Sequence, residues 1–196
     1  MGVEIEKKFT VKKLPENLDQ YPYHVIEQGY LNVSPAIRVR REDDSFYMTY
    51  KGSSVFQGTG MAGNDALENE GGPQQGDIPI GKTEYNLPLD EESYGHLIAK
   101  ADGNVIRKKR YLIPINEDAF EETTIEADEQ LKKALDNGDV KIELDVFGEP
   151  FEGRVLAEVE FPTEESARMY KAAPWFDRDV TKDPSYSNAR MSREKF

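Results

Sequence analysis

The sequence predicts a mainly β protein of the α+β type, with about eight antiparallel strands and a few helices packed outside them. Three observations carry this. Apolar and charged residues alternate with period two through most of the chain. Helix start and stop signals occur at only a few points. Ten Tyr and nine Phe supply aromatic bulk suited to a sheet core. The 196 residues fit one domain, 1–196, long enough to bury a core without a covalent staple.

Residues 3–11 open the pattern: Val3, Ile5 and Lys7 lie on one face, Glu4, Glu6 and Lys8 on the other. A second strand is expected over Tyr23–Leu31, ending near Asn32. Ala36–Arg41 alternates Ile37 and Val39 with Arg38 and Arg40. Ser45–Lys51 is its hairpin partner across Glu42, Asp43 and Asp44. Residues 52–81 are rich in Gly, Gln, Ser and Asn with little apolar periodicity, and are read as a long mobile loop. Lys82–Leu89, Asn104–Ile113, Val140–Phe147 and Val155–Phe161 complete the strands.

Asp90, Glu91 and Glu92 form a cap and acidic first turn for a helix through about Ala101, with Gly103 beyond it. Thr163, Glu164 and Glu165 open another helix that should end before Pro174. Between them, an acidic helical insertion is expected near 117–138, as an exposed helix that stops at Asn137-Gly138. Its acids, like most charge runs, are read as a solvated face.

Composition excludes several classes. A net charge of −13 argues against duplex nucleic acid, which needs a basic face. It leaves room for a small anion, which responds to the local field. The absence of cysteine excludes disulfides and thiolate zinc sites and fits a cytoplasmic home. The start, MGVEIEKKF, lacks the form of a signal peptide. No run approaches the roughly 20 apolar residues that span a bilayer, so no membrane association is expected. No Walker-type loop is present. His24, His96 and Trp175 are read as surface or packing residues. Nothing in the sequence fixes an oligomeric state.

The informative feature is a set of charged pairs spaced by two. They are Glu4/Glu6 followed by Lys8, Arg38/Arg40, Lys82/Glu84, Lys108/Arg110, Glu143/Asp145 and Glu158/Glu160. Such spacing puts both members on one strand face. An antiparallel sandwich with wet charged faces gives the same alternation. If the sheet instead closes into a barrel, the charged faces turn inward and the apolar faces outward, under helices. Interior charges then need opposite charges, a metal or an anionic ligand. The inward set balances: Glu4, Glu6, Glu84, Glu143, Asp145, Glu158 and Glu160 against Lys8, Arg38, Arg40, Lys51, Lys82, Lys108 and Arg110. A lumen of both signs suits a metal–polyphosphate complex. Hard divalent ions take carboxylate oxygens, and phosphates take Arg forks and Lys ammonium groups.

Glu4-x-Glu6-x-Lys8 near the N-terminus resembles the signature of the CYTH family, also called triphosphate tunnel metalloenzymes. The later pieces follow in the family's order. Glu27-Gln28-Gly29-Tyr30-Leu31 precedes Arg38-Val39-Arg40, Tyr50-Lys51, Lys82-Thr83-Glu84 and Lys108-Lys109-Arg110-Tyr111. Then come Ile142-Glu143-Leu144-Asp145, Ala157-Glu158-Val159-Glu160-Phe161, Asp179-Val180-Thr181-Lys182 and Tyr186-Ser187-Asn188. The resemblance is nearly end to end, interrupted at 52–81 and about 117–138.

The resemblance implies an eight-stranded antiparallel β tunnel that binds a triphosphate and a divalent metal, Mg²⁺ or Mn²⁺. It implies metal binding by Glu4, Glu6, Glu158 and Glu160, assisted by Asp145. Lys8, Arg38, Arg40, Lys51, Lys82, Lys108 and Arg110 would hold phosphates, with Glu84 beside them and Lys182 reaching in near one mouth. Glu4, Glu6, Lys8, Glu158 and Glu160 form the expected catalytic set. Members often carry a second carboxylate two residues after the position of Glu84, where this chain has Asn86. The expected activity is hydrolysis of inorganic triphosphate or a related short triphosphate. Class IV adenylate cyclase, RNA triphosphatase and a non-catalytic polyphosphate or nucleotide sensor are the alternatives.

Overall fold

The computed structural model describes residues 2–52 and 82–196, with backbone alone at 2, 3, 52, 82 and 83. The loop expected at 52–81 therefore falls outside the described residues except for Gly52, and for Lys82 only the backbone position is described. All eight expected strands form: β1 (Gly2–Val11), β2 (Tyr23–Val33), β3 (Ala36–Glu42), β4 (Ser45–Gly52), β5 (Lys82–Pro88), β6 (Asp102–Pro114), β7 (Lys141–Phe147) and β8 (Val155–Phe161). A ninth, β9 (Phe176–Asp179), adds to β1 and was not expected. At four residues it is too short to show alternation.

The strands pair antiparallel in the order β5-β4-β3-β2-β6-β7-β8-β1, and β5 pairs again with β1. The last seam matches Gly2 with Glu84, Val3 with Thr83 and Glu4 with Lys82. The ring of pairings thus returns to its start. Closure sets which face is which. The apolar faces of β6, β7 and β8 point outward: Tyr111, Ile113, Ile142, Leu144, Ala157, Val159 and Phe161 share one core with Phe9 of β1. That core is covered from outside by Leu131, Ala119, Phe120, Ala167, Tyr170 and Phe176.

Those covering residues come from the connections. α1 (Glu91–Ile98) is capped by the Asp90 carboxylate, which accepts from the Ser93 amide at 2.7 Å. It ends three residues short of Ala101 and lies against β2, where a β-carbon on Gly29 would stand 2.6 Å from that of Ala101. The acidic insertion forms two helices rather than one, α2 (Glu122–Ala127) and α3 (Glu129–Asp136). Asp128 separates them in an extended conformation and caps α3 by accepting from the Gln130 and Leu131 amides. The insertion is not simply exposed, because Leu131 is fully buried on the sheet. α4 (Glu164–Met169) starts from a capping box on Thr163 and ends before Pro174, as expected. Trp175 packs edge-on to Phe176 at 4.5 Å, as expected of a packing residue.

The inward face is charged over most of its length and apolar at one end. Tyr30, Ile106, Phe147, Phe151 and Leu156 form a second cluster there, sealed by Met191 of α5 (Asn188–Met191). The Asn104 amide donates to the Ser192 carbonyl at 2.6 Å and fixes the end of α5 to β6. Among the described residues no helix is long and apolar enough to cross a membrane.

Candidate active site in the strand-lined cavity

A cavity of about 670 Å³ is bordered by residues from all eight strands of the ring and by Ser187, Asn188 and Ala189. Of the expected site residues, Glu4, Glu6, Lys8, Arg38, Arg40, Lys51, Glu84, Arg110, Glu158 and Glu160 border it. So does Glu143, a charged-row member outside the implied metal set. Asp145 and Lys108 do not; they form a buried ion pair that supports Arg110. Lys182 is exposed and does not border the cavity.

The β6–β8 wall is a continuous ion-pair network. Arg110 contacts three carboxylates: Asp145 at 2.7 and 2.8 Å, Glu158 at 2.6 Å, and Glu143. Lys8 adds a 2.7 Å pair to Glu158. Burial opposes every one of these charges, and the neighbours decide the outcome. Burial would raise the Glu158 carboxyl, but Lys8 and Arg110 hold it well below the usual range. Burial would likewise raise Asp145, yet Arg110 and Lys108 hold it low. Lys8 stays above its ordinary value because Glu158 and Glu6 outweigh burial. Lys108 goes the other way: burial, with Arg110 beside it, pushes it down to about 8.

The carboxylates exceed the bases at one place. Glu6 and Glu160 are direct cross-strand partners. Neither takes part in an ion pair among the described residues. Burial and the nearby Glu158 carboxylate raise Glu6 from its ordinary value. Glu143 is also raised, by burial and by Glu160 and Glu158 against the pull of Arg110. Like charges on neighbouring positions repel. A divalent cation is the partner such an oxygen-only donor set fits. Among the described residues no three such groups are already drawn together around a point that could hold an ion.

The β3–β4 wall is different. Arg40 is 7% exposed, but its hydrogen-bond partners are neutral. Its Nε donates to Gln28 Oε1 at 2.9 Å and its Nη1 to the Tyr47 hydroxyl at 3.1 Å. The Tyr47 hydroxyl donates in turn to Glu42 at 2.6 Å. Burial and the Arg38 guanidinium push Arg40 below its ordinary value. Arg38 reaches Glu84 only at 3.5 Å, and its buried Nε has no partner among the described residues. Lys51 pairs with Glu4 and stands 3.6 Å from Glu84. Asn86 accepts from Thr49 at 2.6 Å and donates to Glu84 at 3.3 Å, so it orients that carboxylate.

Sequence reading missed Gln28, Glu42 and Tyr47 as parts of this wall. Glu42 lies at period two from Arg40, a recognised inward position, but Gln28 belongs to a strand with no charged row. Of the histidines, His24 contacts Asp43 at 2.6 Å and His96 contacts Lys100, both at the surface as expected.

No family model matches the chain. An inorganic triphosphatase of Acetivibrio thermocellus is 32% identical over 205 residues, covering 100% of this chain and 97% of that protein. An inorganic triphosphatase of Nitrosomonas europaea is 27% identical over 193 residues, covering 96% of each. A crystal structure of an inorganic triphosphatase shares the fold, with a TM-score of 0.59 at 23% identity over 100% of this chain and 97% of that one. The chain belongs to the CYTH, or triphosphate tunnel metalloenzyme, family.

Proposed function

We propose that this protein is a divalent-metal-dependent triphosphatase that hydrolyses inorganic triphosphate, or a related short triphosphate, to release phosphate. The observation that carries this is the division of one cavity into a basic wall short of acceptors and an acidic wall short of cations. The names of two full-length relatives agree with it. The lack of cysteine fits action in the cytoplasm.

Glu6 and Glu160, with Glu158 beside them, would hold Mg²⁺ or Mn²⁺, with Glu4 joining on leaving Lys51. A bound ion would supply positive charge against the phosphate oxygens. Arg38 and Arg40 hold the phosphate chain along β3, and Lys51 and Lys82 extend the basic row. Phosphoryl transfer is largely positioning and charge stabilisation, so no side-chain nucleophile is needed. Water attacks the terminal phosphorus, the bridging P–O bond breaks, and diphosphate leaves with the bond's electrons. A lumen carboxylate orients the water and takes its proton.

A panel of inorganic triphosphate, ATP and thiamine triphosphate, each with Mg²⁺ or Mn²⁺, tests the reading. Phosphate should appear from inorganic triphosphate only with metal. Cyclic AMP from ATP without phosphate release would overturn it in favour of a cyclase. Metal-independent triphosphate binding with no turnover would mark a sensor. The double variant Glu6→Gln with Glu160→Gln should lose metal-dependent turnover; wild-type rates would remove these two from the site.

A further inference from the structure

We infer that Gln28 is a positioning residue for the anionic ligand: from behind the cavity wall its Oε1 fixes the Arg40 guanidinium without taking its charge. This rests on the proposed triphosphate reading. Gln28 is fully buried, opposite Arg40 on β3 and Ile106 on β6. A buried amide is costly unless both its ends are paired. Here one end is paired. Oε1 accepts from Arg40 Nε, while Nε2 is buried with no partner among the described residues. The orientation is forced, because Arg40 Nε is a donor and can face only the oxygen. Packing alone would favour Leu or Met at such a position.

The neighbouring donors point to the same occupant. Arg38 Nε is also buried without a partner among the described residues. Arg40 is held by neutral groups, and no carboxylate is within hydrogen-bond distance of it; Glu42 lies at 3.7 Å. Gln28 itself does not border the cavity, whereas Arg38 and Arg40 do. An anion with several oxygens satisfies them together. Gln28 also explains how Arg40 keeps its charge available. A carboxylate in place of the amide would neutralise the guanidinium and compete with the ligand.

The experiment is calorimetric titration of the full-length protein with inorganic triphosphate in chelator, with no divalent metal. Wild type should bind. Gln28→Met should bind about tenfold more weakly, the loss of the hydrogen bond that fixes the charged Arg40. Its thermal midpoint should stay within a few degrees of wild type, because the orphaned amide is gone. Under turnover, KM should rise more than kcat falls. Gln28→Glu keeps the acceptor for Arg40 and adds charge, so it should bind about 100-fold more weakly; it carries the test if Gln28→Met does not fold. Unchanged triphosphate affinity in the folded variants, with only the midpoint lowered, would make Gln28 structural and overturn the inference alone. Failure of wild type to bind in chelator would overturn the inference, and failure to bind with Mg²⁺ present as well would overturn the underlying functional reading.

Discussion

Arg40 and Arg110 are buried to nearly the same extent, 7% and 8% exposed, beside one cavity on strands separated only by β2. Arg110 is enclosed by three carboxylates, which hold its proton more tightly than in water. Arg40 donates to an amide and a phenol, with Glu42 no nearer than 3.7 Å, and burial and a second arginine make its charge harder to keep. The same side chain therefore serves two ends. One guanidinium is a structural tie that organises acids; the other is a charge kept available for something not part of the protein. An arginine in a charged tunnel is a ligand for substrate only where its neighbours leave it uncommitted.

Substitution of each should separate these roles. Arg110→Leu leaves Asp145, Glu143 and Glu158 short of a partner in a buried setting, and should cost about 3–5 kcal/mol of stability. Urea unfolding measures this, and a loss below about 1 kcal/mol would break the comparison. Arg40→Met should cost less stability than Arg110→Leu, because the two hydrogen bonds lost to neutral partners, one of which leaves Gln28 Oε1 unpaired, are offset by relief of a buried charge. Its KM for triphosphate should instead rise at least tenfold in steady-state assays. Equal effects of both substitutions on KM would make the two walls alike.

Lys108 sharpens the contrast within the acidic wall. Its folded value is about 8 against an ordinary 10.5. Between these, the unfolded chain binds the proton and the folded one does not, so stability rises with pH across this window. The gain has an upper bound of about 3 kcal/mol. Comparison of wild type with Lys108→Met by urea unfolding at pH 7 and pH 10 should show wild type gaining relative to the variant. A flat difference would mean that Asp145 keeps Lys108 charged throughout. The smallest effect is expected at Tyr47. Tyr47→Phe removes the hydroxyl between Arg40 and Glu42 and should raise KM about two- to fivefold, by letting Glu42 pair with Arg40 directly.

Much of this was legible in the chain. Eight strands and their inward faces follow from period-two alternation, because a strand buried on one face must repeat its chemistry every second residue. The β1 motif and the arginine and glutamate rows marked the cavity for the same reason. Other features were not legible. β9 is too short for periodicity, and the split between α2 and α3 depends on a cap at Asp128. The withdrawal of Asp145 and Lys108 from the cavity, and the exposure of Lys182, depend on neighbours distant in sequence. Gln28 carried no charge to draw notice.

The sequence by itself determined the strands, the two faces and the balance of seven acids against seven bases. Only the tertiary structure decided which acid meets which base. Alternation is a local property, fixed by backbone geometry within each strand. Pairing is set by closure and register, which bring β6, β7 and β8 together around Arg110 and leave β3 facing Gln28 of β2. The charges were written along the chain, but whether each is a tie or a ligand was settled by its neighbours across the barrel.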